Sequence, residues 1–199
     1  MRVHAVVTYA QLAATILRRT APIPVRLVAI DGPGGAGKST FAARLATALG
    51  DAPVVHTDDF ASHDEPIQWW PLLEDGVLRP LAAGRPARFR PYNWHSRRRT
   101  GWVEVPPAPV VLIEGVSSAR AAARGRLTYS VWLQTSRVER LRRGLERDGP
   151  ELAGFWADWM AEEDAFYAAD PTVDVVDLVV DGHPRLPHDP EREFVVIRS

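Results

Sequence analysis

A chain of 199 residues with 46% hydrophobic composition is long enough to bury a core of its own, and a single domain over 1–199 is the expectation. With 24 basic against 25 acidic residues the net charge is −1, which excludes a bulk electrostatic pull toward nucleic acid or an anionic membrane. The absence of cysteine excludes disulfides, thiolate metal sites and a cysteine nucleophile, and without an apolar run near the roughly 18 residues of a membrane span or a signal-peptide pattern, a cytoplasmic protein is expected.

Residues 8–20 place Leu12, Ala13, Ile16 and Leu17 at helical spacing, and Pro22 and Pro24 end that helix. Val25 to Ile30 is a β-branched apolar run before Asp31-Gly32-Pro33 and reads as a strand buried on both faces. A helix from about Lys38 to Leu49 follows, with Phe41, Leu45 and Leu49 on one face. Further strand signals lie at Pro53 to His56, Val110 to Ile113, Val131 to Leu133 and Val175 to Val180, with helices at 136–147 and 151–169. Buried strands alternating with helices predict an α/β fold, a mainly parallel five-stranded sheet flanked by helices. A Pro- and charge-rich loop from Gly182 to Glu193 leads to a last short strand, Phe194 to Ile197.

The stretch 61–109 breaks this rhythm. It holds Trp69, Trp70, Trp94 and Trp102, a short predicted helix at 66–75, and two short strand signals, Ala87 to Arg90 and Trp102 to Val105, that suit a small hairpin. It reads as a substrate-binding insertion; the competing reading is a structural flap whose tryptophans simply pack. Those tryptophans suit a pocket wall or a subunit contact equally well, which leaves a homo-oligomer open.

Gly32-Pro-Gly34-Gly35-Ala36-Gly37-Lys38-Ser39 matches GxxxxGK[S/T] between a strand and a helix. Glycines let successive backbone amides turn inward around phosphate oxygens while the helix aims its N-terminal dipole at the same anion. The pattern assigns Gly32, Gly34, Gly35, Ala36 and Gly37 to the phosphate cradle of ATP. Lys38 then reaches the outer phosphates, and the Ser39 hydroxyl ligates Mg²⁺, with Thr40 beside it. Lys38 is the only lysine among the 24 basic residues, so a chain biased toward arginine keeps a compact ammonium here.

Three features bear on the reaction. Asp58, just past the second strand, is placed to accept a proton from an attacking hydroxyl; Asp59 beside it suits Mg²⁺ through water, and turn formation is the alternative for the pair. Glu114 ends an apolar strand, where an acid orients Mg²⁺ or merely terminates the strand. The segment 136–150 reads as an arginine-rich lid, with Arg143 or Arg147 closing on the transferred phosphoryl group, while the pairs Glu139 with Arg143 and Arg142 with Glu146 suit a solvated face. A guanine-reading Asn-Lys-x-Asp motif is absent, which weakens a GTPase, and Arg97-Arg98-Arg99 is too short a run to argue for nucleic acid.

From Val25 to about Gly182 these residues together resemble the uridine kinase and phosphoribulokinase-like branch of the P-loop kinases. Thr57-Asp58-Asp59-Phe60 resembles the segment whose first Asp is the catalytic base, which implies Asp58. Asp64-Glu65-Pro66 is similar to a segment that binds ribose hydroxyls through its Asp, and Arg90-Pro91-Tyr92-Asn93-Trp94-His95 to one that surrounds the base, which implies Asp64, Tyr92 and His95 and places the substrate near these and Arg90. Ile113-Glu114-Gly115, the lid at Ser136 to Gly149 and Val176 to Val180 match in the same order. Asn93 stands where the family has Asp, His95 lies two residues nearer the Tyr, Asp59 replaces Ser and Ala61 replaces Tyr. The resemblance implies a P-loop NTPase fold and ATP- and Mg²⁺-dependent phosphotransfer to a small-molecule hydroxyl, a uridine- or cytidine-like nucleoside first. The alternatives are a nucleoside monophosphate, a sugar phosphate or a pantothenate-like alcohol, for which Arg85, Arg88 and Arg90 would supply positive charge, or a regulatory protein that holds ATP without transferring it.

Overall fold

The computed structural model describes residues 5–199. It opens with β1 (Ala5–Thr8) and α1 (Tyr9–Arg18). α1 starts where it does because Thr8 and Gln11 form a capping box: Gln11 N–H donates to the Thr8 hydroxyl at 3.1 Å and Thr8 N–H to the Gln11 side chain at 2.9 Å. β2 (Arg26–Asp31), α2 (Lys38–Ala48) and β3 (Val54–His56) follow, then a 3₁₀ turn over Thr57–Asp59.

The insertion begins with α3 (Trp70–Leu73) and α4 (Arg79–Ala82), joined through a π-helical turn at Glu74–Leu78. Helix therefore starts later and runs further than the 66–75 the sequence predicts. Pro80 has no N–H for the regular ladder, and the ladder is widened just ahead of it. β4 (Ala87–Phe89) pairs with β7 (Val103–Val105) at the positions expected for a hairpin, and β5 (Tyr92–Asn93) pairs with β6 (Arg98–Arg99) further out. The chain then returns through β8 (Val110–Glu114), α5 (Ala121–Arg124), β9 (Leu127–Gln134), α6 (Arg137–Asp148), α7 (Ala153–Ala169), α8 (Thr172–Val175), β10 (Leu178–Asp181) and β11 (Glu193–Arg198).

The sheet has seven strands in the order β1-β11-β10-β9-β2-β8-β3. The five expected strands are its parallel part, from β10 through β9, β2 and β8 to β3; β11 and β1 add an antiparallel edge that the five-stranded expectation lacks. β1 is not legible in the sequence because four residues running straight into a capped helix carry too little alternation to register.

The period of two along β2 sorts its side chains. Val28 and Ile30 face α1 and α2, where Tyr9, Phe41 and Phe194 meet with ring centroids 5.2 Å apart. Leu27 faces the insertion, whose Trp69, Leu73, Leu78 and Phe89 form a core with Phe60, Val111 and Ile113. The insertion thus packs as core on one face of the sheet, and its tryptophans divide: Trp69 is buried in it, whereas Trp102 is 59% exposed. Among the described residues no helix is long and apolar enough to cross a membrane.

Candidate functional site

β2 delivers the glycine-rich loop, and Asp31 at its end anchors it. The buried carboxylate accepts the N–H of Gly32 at 2.6 Å, Ser117 at 2.8 Å and Ala119 at 2.7 Å, and the Tyr167 hydroxyl at 2.7 Å. Burial pushes this carboxyl up, and the donors around it pull the other way. Within the loop, Gly35 has φ +74°, and a Cβ there would stand 2.5 Å from the Arg140 carbonyl; at Gly32, φ +139°, it would stand 2.7 Å from that of Leu133. Any other residue would push the loop off the elements packed around it. α2 starts at Lys38 behind Gly37, with no side chain capping its amides, which leaves them for an anion. Lys38 is buried and donates from Nζ to the Pro33 carbonyl at 3.0 Å; Ser39 and Thr40 are exposed on the first turn. The Thr135 hydroxyl holds the Ala36 carbonyl at 3.0 Å.

α6 lies against this loop. Arg143 donates to the Gly182 carbonyl at 3.0 Å and to Glu139 at 2.8 Å, with the Gly35 carbonyl at 3.5 Å. Arg147 is exposed and paired with Asp148 at 2.7 Å, yet its charge reaches Asp58. Arg140, which is neither of the two lid arginines that the sequence singles out, is buried with its backbone on Gly35. Arg137 pairs with Asp164, and Arg142 with Glu139 and Glu146, on the solvated side. Hydrogen bonds from Arg142 and Arg143 hold the Glu139 carboxyl down at about 2.

The acids gather at the neighbouring strand ends. β3 and β8 pair in register, His56 opposite Glu114, and His56 Nδ1 meets the buried Glu114 Oε2 at 2.7 Å. That hydrogen bond is the main cause that raises the His56 pKa. Asp58 keeps an exposed face while protein crowds around its carboxyl. Loss of water around it pushes its carboxyl up, the Lys38 ammonium pulls it down, Glu114 pushes it up, and His56 and Arg147 pull it down. Four charged groups therefore converge on Asp58 from β3, β8, α2 and α6. The Asp59 backbone carbonyl takes a hydrogen bond from Arg99 at 2.8 Å, and the same guanidinium reaches the Phe60 carbonyl at 2.5 Å. Among the described residues no three His, Asp or Glu side chains are grouped to hold a metal.

An aromatic wall stands next to Asp58. The Trp94 indole donates to the Asp58 carbonyl at 3.1 Å, Tyr92 shares a hydrogen bond with His63 at 2.9 Å, and His63 lies 5.0 Å from Trp94. From α7, Trp159 reaches Trp94 at 5.8 Å and Phe155 reaches Trp159 at 5.7 Å. Of the residues the resemblance implied for substrate, Tyr92 joins this wall. Arg90 does not: it donates to the Arg99 carbonyl at 2.8 Å and lies over Trp102. Asp64 and His95 are exposed and take no part in the wall's hydrogen bonds or ring contacts among the described residues. The shorter spacing from Tyr92 to His95 puts the histidine in the turn between β5 and β6, and His63 takes the place against Tyr92. His63 and Asp31 carried no local sequence signal, since Tyr92, Ser117, Ala119 and Tyr167 lie far along the chain from them; Arg140 carried only the signal of the arginine-rich helix as a whole.

No protein-family profile matches the chain. Among solved structures it is similar to a possible uridine kinase from Bacillus stearothermophilus, with TM-score 0.63 and 20% identity over 86% of this chain and 96% of that one. It is also similar to a protein provisionally described as a fructose transport system kinase from Silicibacter sp. TM1040, with TM-score 0.59 and 22% identity over 81% of this chain and 95% of that one. The chain therefore has the fold of uridine-kinase-like P-loop proteins. Two curated relatives, the inorganic pyrophosphatases TTM2 and TTM1 of Arabidopsis thaliana, match at 26% and 25% identity over 63% of this chain; the chain spans about a fifth of their length, 21% and 22%.

Proposed function

We propose that the chain transfers the γ-phosphoryl group of ATP to a hydroxyl of a small molecule, a nucleoside first. One observation carries this reading: Asp58 follows directly on β3, whose last residue His56 is paired with Glu114 of β8, between the aromatic wall and the loop that carries Lys38, and those groups and Arg147 all act on its carboxyl. A binding protein needs only the cradle, whereas a carboxylate placed beside it among these charges is what proton transfer from an acceptor hydroxyl requires.

The residues fit the cofactors. The cradle is backed at Gly32 and Gly35 by neighbouring backbone, and its helix amides are uncapped. Ser39 and Glu114 are the residues that would hold Mg²⁺, an ion that keeps several waters and is bound through one or two protein groups plus substrate phosphates. ATP supplies the phosphoryl group, and Mg²⁺ draws off its negative charge. Lys38 binds the outer phosphates, Arg143 and Arg147 meet charge as it develops, and Asp58 takes the hydroxyl proton as the acceptor oxygen attacks. The wall of Tyr92, Trp94 and His63 favours a flat acceptor, and Arg90, turned into its hairpin, gives an anionic one less support.

The test is ADP release with Mg·ATP, alone and with uridine, cytidine, other nucleosides, nucleoside monophosphates and small alcohols, the product identified by mass. Acceleration by a nucleoside with one phosphate added to it is the expected result. Turnover only with another alcohol keeps the reaction and replaces the acceptor. The name carried by the Arabidopsis relatives makes inorganic pyrophosphate the necessary control, and its rapid hydrolysis without ADP formation would replace phosphotransfer with hydrolysis.

A further inference from the structure

α7 brings to the loop one charged group that this reading leaves unused. Glu163 is fully buried. Its Oε1 accepts the Gly34 N–H at 2.8 Å and the Trp159 indole N–H at 2.6 Å, and its Oε2 faces Arg140 Nη1 at 3.3 Å. A Cβ on Gly34 would stand 2.9 Å from that same Oε1, so carboxylate and loop touch with nothing between them. Arg140 rests its backbone on Gly35, and its Nε is buried without a partner among the described residues. Burying an ion pair is a poor way to stabilise a fold, since well-packed apolar residues of like volume do as well or better. A carboxylate that meets the loop amide, an indole and a lid arginine at once is explained by what it holds in place.

We infer that Glu163 is a positioning residue for phosphoryl transfer, fixing the Gly34 amide and the Arg140 guanidinium in the arrangement that meets charge on the transferring group. This rests on the phosphotransfer reading. Glu163 touches neither nucleotide nor acceptor in this role; it acts through Gly34 and Arg140. The direction of its effect follows. Replacing the carboxylate by an amide removes a negative charge beside an anion site, so ground-state binding of ATP is not weakened by electrostatics. The amide also turns an N–H toward donors, which displaces Arg140, and that loss is felt as charge develops.

The experiment measures ATP binding by calorimetry and steady-state kinetics on the same samples, with the best acceptor from the panel above. In Glu163→Gln, kcat should fall about 10- to 100-fold while the Kd for ATP stays within about threefold of wild type or tightens. In an Arg140→Lys background the same substitution should cost less than about threefold more, because the two act as one unit. Asp170→Asn, which disturbs the cap and the Arg124 pair at the other end of α7, serves as the control for general destabilisation and should leave both constants near wild type. If Glu163→Gln does not fold, Glu163→Asp retracts the carboxylate by one methylene and faces the same criteria. Unchanged kcat, weakened ATP binding in step with kcat, or full additivity with Arg140→Lys would each overturn the inference. A wild-type protein that turns over no acceptor defeats the underlying reading instead, and the two failures are told apart by that one measurement.

Discussion

Asp58 and Lys38 answer to different halves of the reaction, and single substitutions separate them. With Asp58→Asn the proton acceptor is lost and the cradle remains, so kcat should fall about 10²- to 10⁴-fold with ATP affinity nearly unchanged. The pH profile gives a second check. Loss of water around Asp58 outweighs the Lys38, His56 and Arg147 charges and leaves its pKa raised. A base works only when deprotonated, so kcat/KM should decline as pH falls through a value above the ordinary carboxylate, and Asp58→Asn should lack that decline. Lys38→Arg should be nearly as damaging as Lys38→Ala, because a buried ammonium folded onto the Pro33 carbonyl has no room around it for a planar fork. Near-normal turnover in Lys38→Arg would remove the meaning of the solitary lysine. Both residues were legible in the sequence because their neighbours in the chain define their place, an apolar strand just before Asp58 and the glycine pattern just before Lys38. Asp31 and Glu163 were not, since the groups that give them their roles, Ser117, Ala119 and Tyr167 for the one and Gly34 for the other, lie 86 to 136 residues away.

α6 and α7 show how little of a lid can be read from its own helices. α7 buries Trp156, Met160 and Glu163, a stripe at helical spacing in which one of three members is an acid, so its inward face does not read as apolar. α6 carries Gly144 in its interior, which by propensity alone is a weak point worth about 1 kcal/mol against alanine. The structure gives that glycine a reason: a Cβ on Gly144 would overlap the Trp156 ring, which is buried and held by its indole N–H to Asp148 at 3.1 Å. Overpacking costs about 1–3 kcal/mol, so Gly144→Ala should destabilise the protein by roughly 1–2 kcal/mol despite the better helix former. Urea unfolding measures it, and a stabilised variant would mean that α7 does not dock on α6 as described. The insertion was similarly half legible: alternation marked β4 and β7, whereas the widened turn before Pro80 has no signature of its own.

Every group in the site leaves the same end of the sheet. The glycine loop follows β2, Asp58 follows β3, Glu114 closes β8, the lid follows β9 and Gly182 follows β10, all at the carboxyl ends of parallel strands. The alternation of strand and helix implied that convergence, and β11 and β1 only close the far edge. Because these loops come from five strands of one sheet, nucleotide held among them stabilises the whole fold by mass action. At a free Mg·ATP concentration 100 times its Kd the gain is about 2.7 kcal/mol, a rise of roughly 5–10 °C in Tm for a chain of this length. Thermal unfolding should show that rise in wild type and in Asp58→Asn, and little of it in Lys38→Ala or Gly35→Ala. In Gly35→Ala the added Cβ drives the loop off Arg140, so the cradle is lost while the sheet beneath it persists. A shift lost in Asp58→Asn would make Asp58 a nucleotide-holding residue rather than the base. A shift absent from wild type would mean that the loop, for all its geometry, holds some anion other than ATP.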